Sequence, residues 1–538
     1  ALGYKTLEVL NYDGNAENTA VGYIAGASIT TGLRNTLVGA FAGDSITTGS
    51  DNTAFGRAAL ASEDTGSKNT AIGYSALNSL NYDGDGYNTA IGYNAGVFVS
   101  TGVNNTLIGG LAGDALTTGS SNVAIGKSAL SLEDTGSKAV AVGFGALANQ
   151  NYAGDSYNVA MGYQAGNDIT TGVQNTILGG LAGDALTTGS DNVVMGFAAL
   201  SNANAGNRSI AIGSSALNAQ NAGSAGQNMY NVGVGYNAGG STTTGVKNNL
   251  LGGLAGDALT TGSNNVAIGY EALTSEDTGS RNIAIGQSAL GSLNYDGNGY
   301  NIAIGHNAGV AVTTGVSNVF IGGLAGDAIT GGDSNVAIGK NAMGSADGTE
   351  SNNVAVGFGT LAAMNSDASN YNTAIGYNAG TAVTTGVSNT FLGGQAGDAL
   401  TTGGYSVAIG HLALTNEDTT SGNVAVGYKA LGDSDGGANN TALGYQSGEN
   451  ITTGDDNTII GAQAGDAITT GSNNIIIGHD AAASAVDVSN EITLGDANIS
   501  AFRCADQSIA ALSDGRDKSE VEESPYGLEF INKLKPVK

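Results

Sequence analysis

The sequence predicts an all-β chain wound as a β-solenoid or β-roll of about 29 coils. Three observations carry this. A glycine closing the pattern N-x-x-x-G recurs at Gly22, Gly39, Gly56, Gly73, Gly92 and onward to Gly495, nearly always 17 residues apart. The segment before it, such as Thr89–Ile91 ahead of Gly92, is a short run of Thr, Val, Ala and Ile bounded by turn residues, which reads as a strand. Finally, 89 of the 538 residues are glycine and only 12% are charged, unlike ordinary globular or disordered chains. A 17-residue period is too short for a helical-pair repeat and suits one solenoid turn.

The spacing has a second level. Every fourth step is usually longer by two, as from Gly73 to Gly92 and from Gly286 to Gly305. Four coils therefore form a super-repeat, such as the stretch from Gly22 to Gly92. This explains why the nonapeptide Asn88–Gly96 returns letter for letter at Asn372–Gly380: both copies occupy the first coil of the four. The second coil carries G-G-L-A-G-D-A-L-T-T-G, the third often ends in E-D-T-G-S, and the fourth carries the longer loop N-Y-D-G-D-G-Y-N at 81–88. No coil carries an insertion long enough to build a cleft.

Within one coil each residue type has a reading. Asparagine four before the anchor glycine, at Asn18, Asn35, Asn52, Asn69, Asn88 and Asn105, would stack into a ladder of carboxamides satisfying turn backbone. The glycines of T-T-G and D-T-G are expected at positive φ. Side chains alternate along a strand. Thr89 and Ile91 therefore share one face, and the smaller Ala90 takes the other. Both faces are apolar, whereas a lone roll needs one. The small aliphatic face is expected to pack against something else, most simply further copies of the chain side by side.

Composition excludes several function classes. A net charge of −29 opposes nucleic-acid binding, which needs basic patches against phosphate. No run of 18 apolar residues is present, so no membrane insertion is expected. The single cysteine, Cys504, cannot form an intrachain disulfide. The basic residues are uneven, six of seventeen falling after residue 502, and mark a boundary near residue 500. The organisation read from this is a repeat shaft over 1–497, a neck over 498–512 and a distinct terminal segment over 513–538.

Chemistry-bearing residues are sparse. His306, His411 and His479 each follow an anchor glycine, in a column shared with Tyr93, Tyr163, Tyr236, Lys127 and Phe144. That is a surface or stacking position, and several coils separate the histidines. The aspartates after G-L-A-G (Asp114, Asp184, Asp257 and Asp327, with Asp44, Asp398 and Asp466 in the same slot) are four coils apart, too far for paired carboxylate chemistry. Asp83 and Asp85, on a glycine-rich turn, are weak calcium candidates. Asn298 and Ser156 replace the second aspartate in other copies. No cofactor and no enzymatic turnover of an external substrate are expected. Exposed Tyr, Asn and Thr columns suit weak, repeated contact with a surface.

The terminal segment Ser513–Lys538 resembles the opening of the intramolecular chaperone domain of phage tail fibres and tailspikes, the peptidase S74 family. Ser513, Asp514, Arg516, Lys518, Gly527, Leu528, Phe530, Ile531, Leu534, Pro536 and Val537 match that opening. The resemblance implies a homotrimer and self-cleavage at Leu512–Ser513, with Ser513 as nucleophile and Asp514 or Lys518 assisting proton transfer. It applies only where the full chaperone domain is present, which so short a segment cannot form. The repeats are similar to the YadA-like β-roll heads of trimeric autotransporter adhesins. Together these resemblances imply a virion tail-fibre shaft, partnered with other tail proteins and a host-surface glycan or protein. The alternative is a bacterial or archaeal surface adhesin or extracellular filament.

Overall fold

A computed structural model describes residues 1–501 and 503. Cys504, most of the neck and the whole of 513–538, including Ser513, Asp514 and Lys518, lie outside the described residues. Twenty-eight strands of three residues each, from β1 (Thr19–Val21) to β28 (Ile492–Leu494), follow one another with no helix among the described residues. Each strand pairs in parallel with the one before and the one after, and the register never slips: Thr89, Ala90 and Ile91 of β5 sit beside Thr106, Leu107 and Ile108 of β6 (Thr106–Ile108). Leu2 adds a parallel bridge to Val21 before β1, which accounts for a coil ahead of the first full strand. At about 4.8 Å per strand the ladder is on the order of 130 Å long.

The burial pattern reverses the sequence expectation about faces. In every strand but the last, the middle residue points inward and is fully buried, as Ala90, Leu107 and Ala124 are. The larger flanking pair faces outward, so Val21 and Phe55 are 36% and 55% exposed. The physical reason is the width of the coil. Its interior also takes Ala95 and Val99 from the far side of the first coil, and Ala112 and Leu116 in the next. Little room remains for the strand's own contribution, so alanine is the usual middle residue. Second coils carry a larger one. Leu107 fits because Gly96 and Gly113 lie against its two methyl groups, and a Cβ at either would come within 2.6 or 2.8 Å of them.

Along the strands, hydrogen bonds run between coils, while turn bonds such as Ala112 N–H to the Gly109 carbonyl close each coil on itself. Thr106 donates its N–H to the Asn122 carbonyl in the next coil, while Gly109 donates to Ile91 in the previous one. The asparagine ladder is present as expected. The Asn105 Nδ2 donates to the Gly119 carbonyl at 2.9 Å, and its Oδ1 accepts from the Asn122 N–H at 2.9 Å. Both groups are buried, so each satisfies a turn atom that water cannot reach.

Two further kinds of glycine line the contact between successive coils, and one departs from expectation. Anchor Gly92 has φ +144, which only glycine adopts freely, and a Cβ there would lie 2.4 Å from the Gly109 carbonyl oxygen. Gly102 of T-T-G, expected at positive φ, is not there. It is glycine because the coils stack too closely: a Cβ would lie 2.3 Å from the Gly119 oxygen. The positive φ expected at T-T-G occurs instead at non-glycine turn residues such as Asn94 and Asn104.

Candidate recognition surface

The outward face of the ladder is built from four columns. The outer two strand positions form its centre. The last residue of every strand is Val, Ile, Leu, Met or Phe in all 28 strands, and the first is Thr, Val or Ile except at Asn249. Outside them lie the residue before the buried asparagine and the residue after the anchor glycine. Both rims are rich in tyrosine, with Tyr87 and Tyr93 54% and 59% exposed.

The rim before the asparagine is held by ion pairs. Lys68 Nζ contacts Asp85 Oδ2 at 2.7 Å and the Tyr87 hydroxyl at 2.9 Å, and lies 5.0 Å from the Tyr87 ring centroid. Lys138, Asp155 and Tyr157 repeat this one super-repeat on. The hydrogen bond from Lys68 holds the Asp85 carboxyl below its ordinary range. Asp83 accepts from the Thr65 hydroxyl at 2.6 Å. Each of the two calcium candidates thus has a protein partner from the preceding coil. No group of three or more His, Cys, Asp or Glu gathers anywhere among the described residues.

The rim after the glycine is an aromatic ladder. Tyr74 stacks on Tyr93 at 5.4 Å between centroids, Phe144 on Tyr163 at 5.5 Å, and His411, Tyr428 and Tyr445 form a run of three. The histidines therefore fall where the shared column placed them. His411 serves as a stacking ring, and His479 approaches its neighbour Asp480 at 3.1 Å.

Two acidic features occupy the interior and the turns. Glu63, Glu133, Glu276, Glu350 and Glu417 are fully buried. Glu63 accepts from the N–H groups of Gly66 and Tyr82, and Glu276 likewise from Gly279 and Tyr295. Burial pushes the Glu63 and Glu276 carboxyls up. Sequence reasoning took E-D-T-G-S as turn text and missed these acids, although their recurrence in third coils was the available signal. The aspartates after the G-L-A-G motif are half-buried. Thr274 and Thr415 donate to Asp257 and Asp398. Asp44, Asp114, Asp184 and Asp327 each keep a buried Oδ1 without a partner, and burial pushes these carboxyls up.

The third super-repeat departs from the pattern. The step from Gly213 to Gly235 is the longest between anchors, and Ala203 and Ala222 stand where the first, second and fourth repeats have the buried glutamate and its covering tyrosine. An open cavity of about 490 Å³ lies there, lined by Asn202, Asn204, Asn221, Thr243 and Thr244 together with Ala219 and Ala222. In the first repeat Tyr82 covers Glu63 and supplies one of its N–H donors, a place that Ser366 takes beside Glu350. No helix among the described residues is long and apolar enough to cross a membrane. No protein-family model matches the chain, and a search of curated proteins gives no match.

Proposed function

We propose that the chain is a structural shaft of a phage tail fibre, assembled as three parallel copies side by side and serving attachment to a host surface. The observation that carries this reading is the outward strand column, apolar in all 28 strands and part-exposed along the whole ladder. Soluble single chains rarely leave a continuous apolar stripe of such length uncovered. Further copies of the same chain cover it most simply, because a rotation axis along the shaft sets identical rungs at identical heights. The number three comes from the resemblance of the repeats to YadA-like heads and of 513–538 to the S74 chaperone opening. The mode of action is mechanical and multivalent rather than catalytic: a rigid parallel ladder carries rim residues outward at a fixed spacing.

Light scattering of the full chain tests this. A mass near three times 52.8 kDa is expected. A monomeric mass at micromolar concentration overturns the shared-face reading. A trimer that fails to retain on host envelopes overturns attachment while leaving the assembly intact.

A further inference from the structure

The aromatic ladder has a periodic gap that the fold does not require. In first coils the residue after the anchor glycine is Tyr or His in every super-repeat: Tyr23, Tyr93, Tyr163, Tyr236, His306, Tyr377 and Tyr445. In second coils it is Gly110, Gly180, Gly253, Gly323 and Gly394, with alanine at positions 40 and 462. These five glycines are not at positive φ. At Gly110 a Cβ would meet nothing closer than the Tyr93 carbonyl oxygen at 3.9 Å, and at Gly323 nothing closer than the His306 oxygen at 4.0 Å. Neither conformation nor packing within the chain excludes a side chain there. At Gly180, Gly253 and Gly394 the next ring leans over the floor, reaching within 3.8, 3.5 and 3.2 Å of where a Cβ would be. Near Ala40, Phe41 packs edge-on against Tyr23. Among the five glycine floors, two gaps therefore stay open: Tyr93–Gly110–Lys127 and His306–Gly323–Lys340.

Both open gaps have the same composition. One wall is an exposed ring. Tyr93 already stacks on Tyr74 through one face, so its second face looks along the ladder over Gly110. The opposite wall is an exposed lysine two rungs on. Lys127 lies 5.9 Å from the Phe144 ring centroid, and neither it nor Lys340 is in an ion pair among the described residues. That contrasts with Arg34, Lys68, Lys138 and Arg208 on the other rim, which all hold aspartates. Half-buried Leu111 and Leu324 stand beside the glycine floors. With neighbouring rings about 5.4 Å apart, the missing rung leaves room for one ligand ring stacked at the ladder's own spacing.

We infer that these two gaps bind the rings of an acidic polysaccharide: the C–H face of a uronic-acid-type sugar packs on Tyr93 or His306, and its carboxylate meets Lys127 or Lys340. The electron-rich ring face suits polarised C–H groups, and a free ammonium suits a carboxylate. The chain's negative charge does not prevent this. At physiological salt the Debye length is about 8 Å, so the uncompensated lysine beside the sugar dominates. The gaps are twelve rungs apart, roughly 58 Å, so one long polymer can engage both and gain avidity.

This rests on the shaft reading, and the test separates the two. Full-length chain is passed over immobilised polygalacturonate and over dextran as a neutral counterpart, with its mass measured in the same buffer. Retention on polygalacturonate alone is expected, reduced at least tenfold by G110Y/G323Y and by K127Q/K340Q with mass and melting unchanged. Equal retention on dextran, or variants that bind like the wild type, overturns the proposal. A change of mass in G110Y/G323Y overturns it too, by placing the gaps in a chain–chain interface. A monomer that still shows the expected pattern leaves this proposal standing while the shaft reading falls.

Discussion

Glycine, the commonest residue in the ladder, has three distinct roles that substitution separates. Gly92→Ala forces a side chain into φ +144 and against a carbonyl 2.4 Å away. Backbone strain of that kind alone costs about 1–3 kcal/mol. Gly102→Ala keeps an ordinary φ yet meets the Gly119 oxygen at 2.3 Å, so it also destabilises. Gly110→Ala meets open space and is expected to be neutral, or to stabilise by about 0.4–1 kcal/mol through the unfolded chain. Denaturant melts of the three variants should rank in that order; a destabilised Gly110→Ala would show that its floor packs against something in the assembly. The buried acids make a second prediction. Burial raises the Glu63 and Glu276 carboxyls above their ordinary value. Their contribution to stability is therefore fully present below the unfolded pKa near 4.5 and is lost as pH rises through the folded value. Asp44, Asp114, Asp184 and Asp327 act with the same sign. Asp51, Asp85 and Asp155, held low by Arg34, Lys68 and Lys138, act oppositely, below the ordinary carboxylate range. Melting temperature should thus be higher near pH 5 than near pH 8, even in high salt, which screens surface repulsion but not burial. A rise toward pH 8 would contradict it.

At the scale of one coil, the asparagine ladder shows how the structure repairs its own gaps. Ala139, Ser209 and Ser406 interrupt the column. At the first two a buried glutamine of the same coil supplies the missing acceptor: Gln150 Oε1 takes the Asn158 Nδ2 at 2.9 Å, and Gln220 Oε1 takes the Asn231 Nδ2 at 2.9 Å. After Ser406 the Thr420 hydroxyl accepts from the Asn423 Nδ2 at 3.2 Å. Gln150→Ala should cost about 1–3 kcal/mol by leaving one of the two buried Asn158 Nδ2 hydrogens unpaired, the other still meeting the Gly172 carbonyl, and adding Ala139→Asn should recover part of the loss. Hydrogen exchange across 137–158 reads both effects, and an unchanged rate in Gln150→Ala would remove the repair argument. The ladder itself was legible from the spacing of Asn18, Asn35 and Asn52. The glutamine substitutes were not, because Gln150 and Gln220 lie more than half a coil further along the chain than the gaps they fill. Only the coil's closure brings them together.

Across the whole molecule, one strand per coil and nearest-neighbour pairing make stability accumulate along the axis. The outward column then decides assembly. Ile91→Asp with Ile125→Asp places charge on half-buried outward positions, so each solenoid should stay folded while the mass of the assembly falls toward that of one chain. Unchanged mass would show that the copies meet elsewhere. The pairing of Thr or Val outward with Ala inward was readable as alternation, but its sense was not. A strand apolar on both faces carries no sign, and bulk suggested that the large residues were the core.

The period of 17, the parallel coil and the asparagine column follow from the sequence alone, because a chain that repeats one text must repeat one local structure, and stacking identical turns aligns identical residues. Tertiary structure decided which apolar face turned inward, why Gly102 is glycine, and where the buried glutamates and the open aromatic gaps lie. Those depend on distances between residues one or two coils apart, set by the coil's narrow width and the short rise between rungs. No single turn of sequence encodes either length.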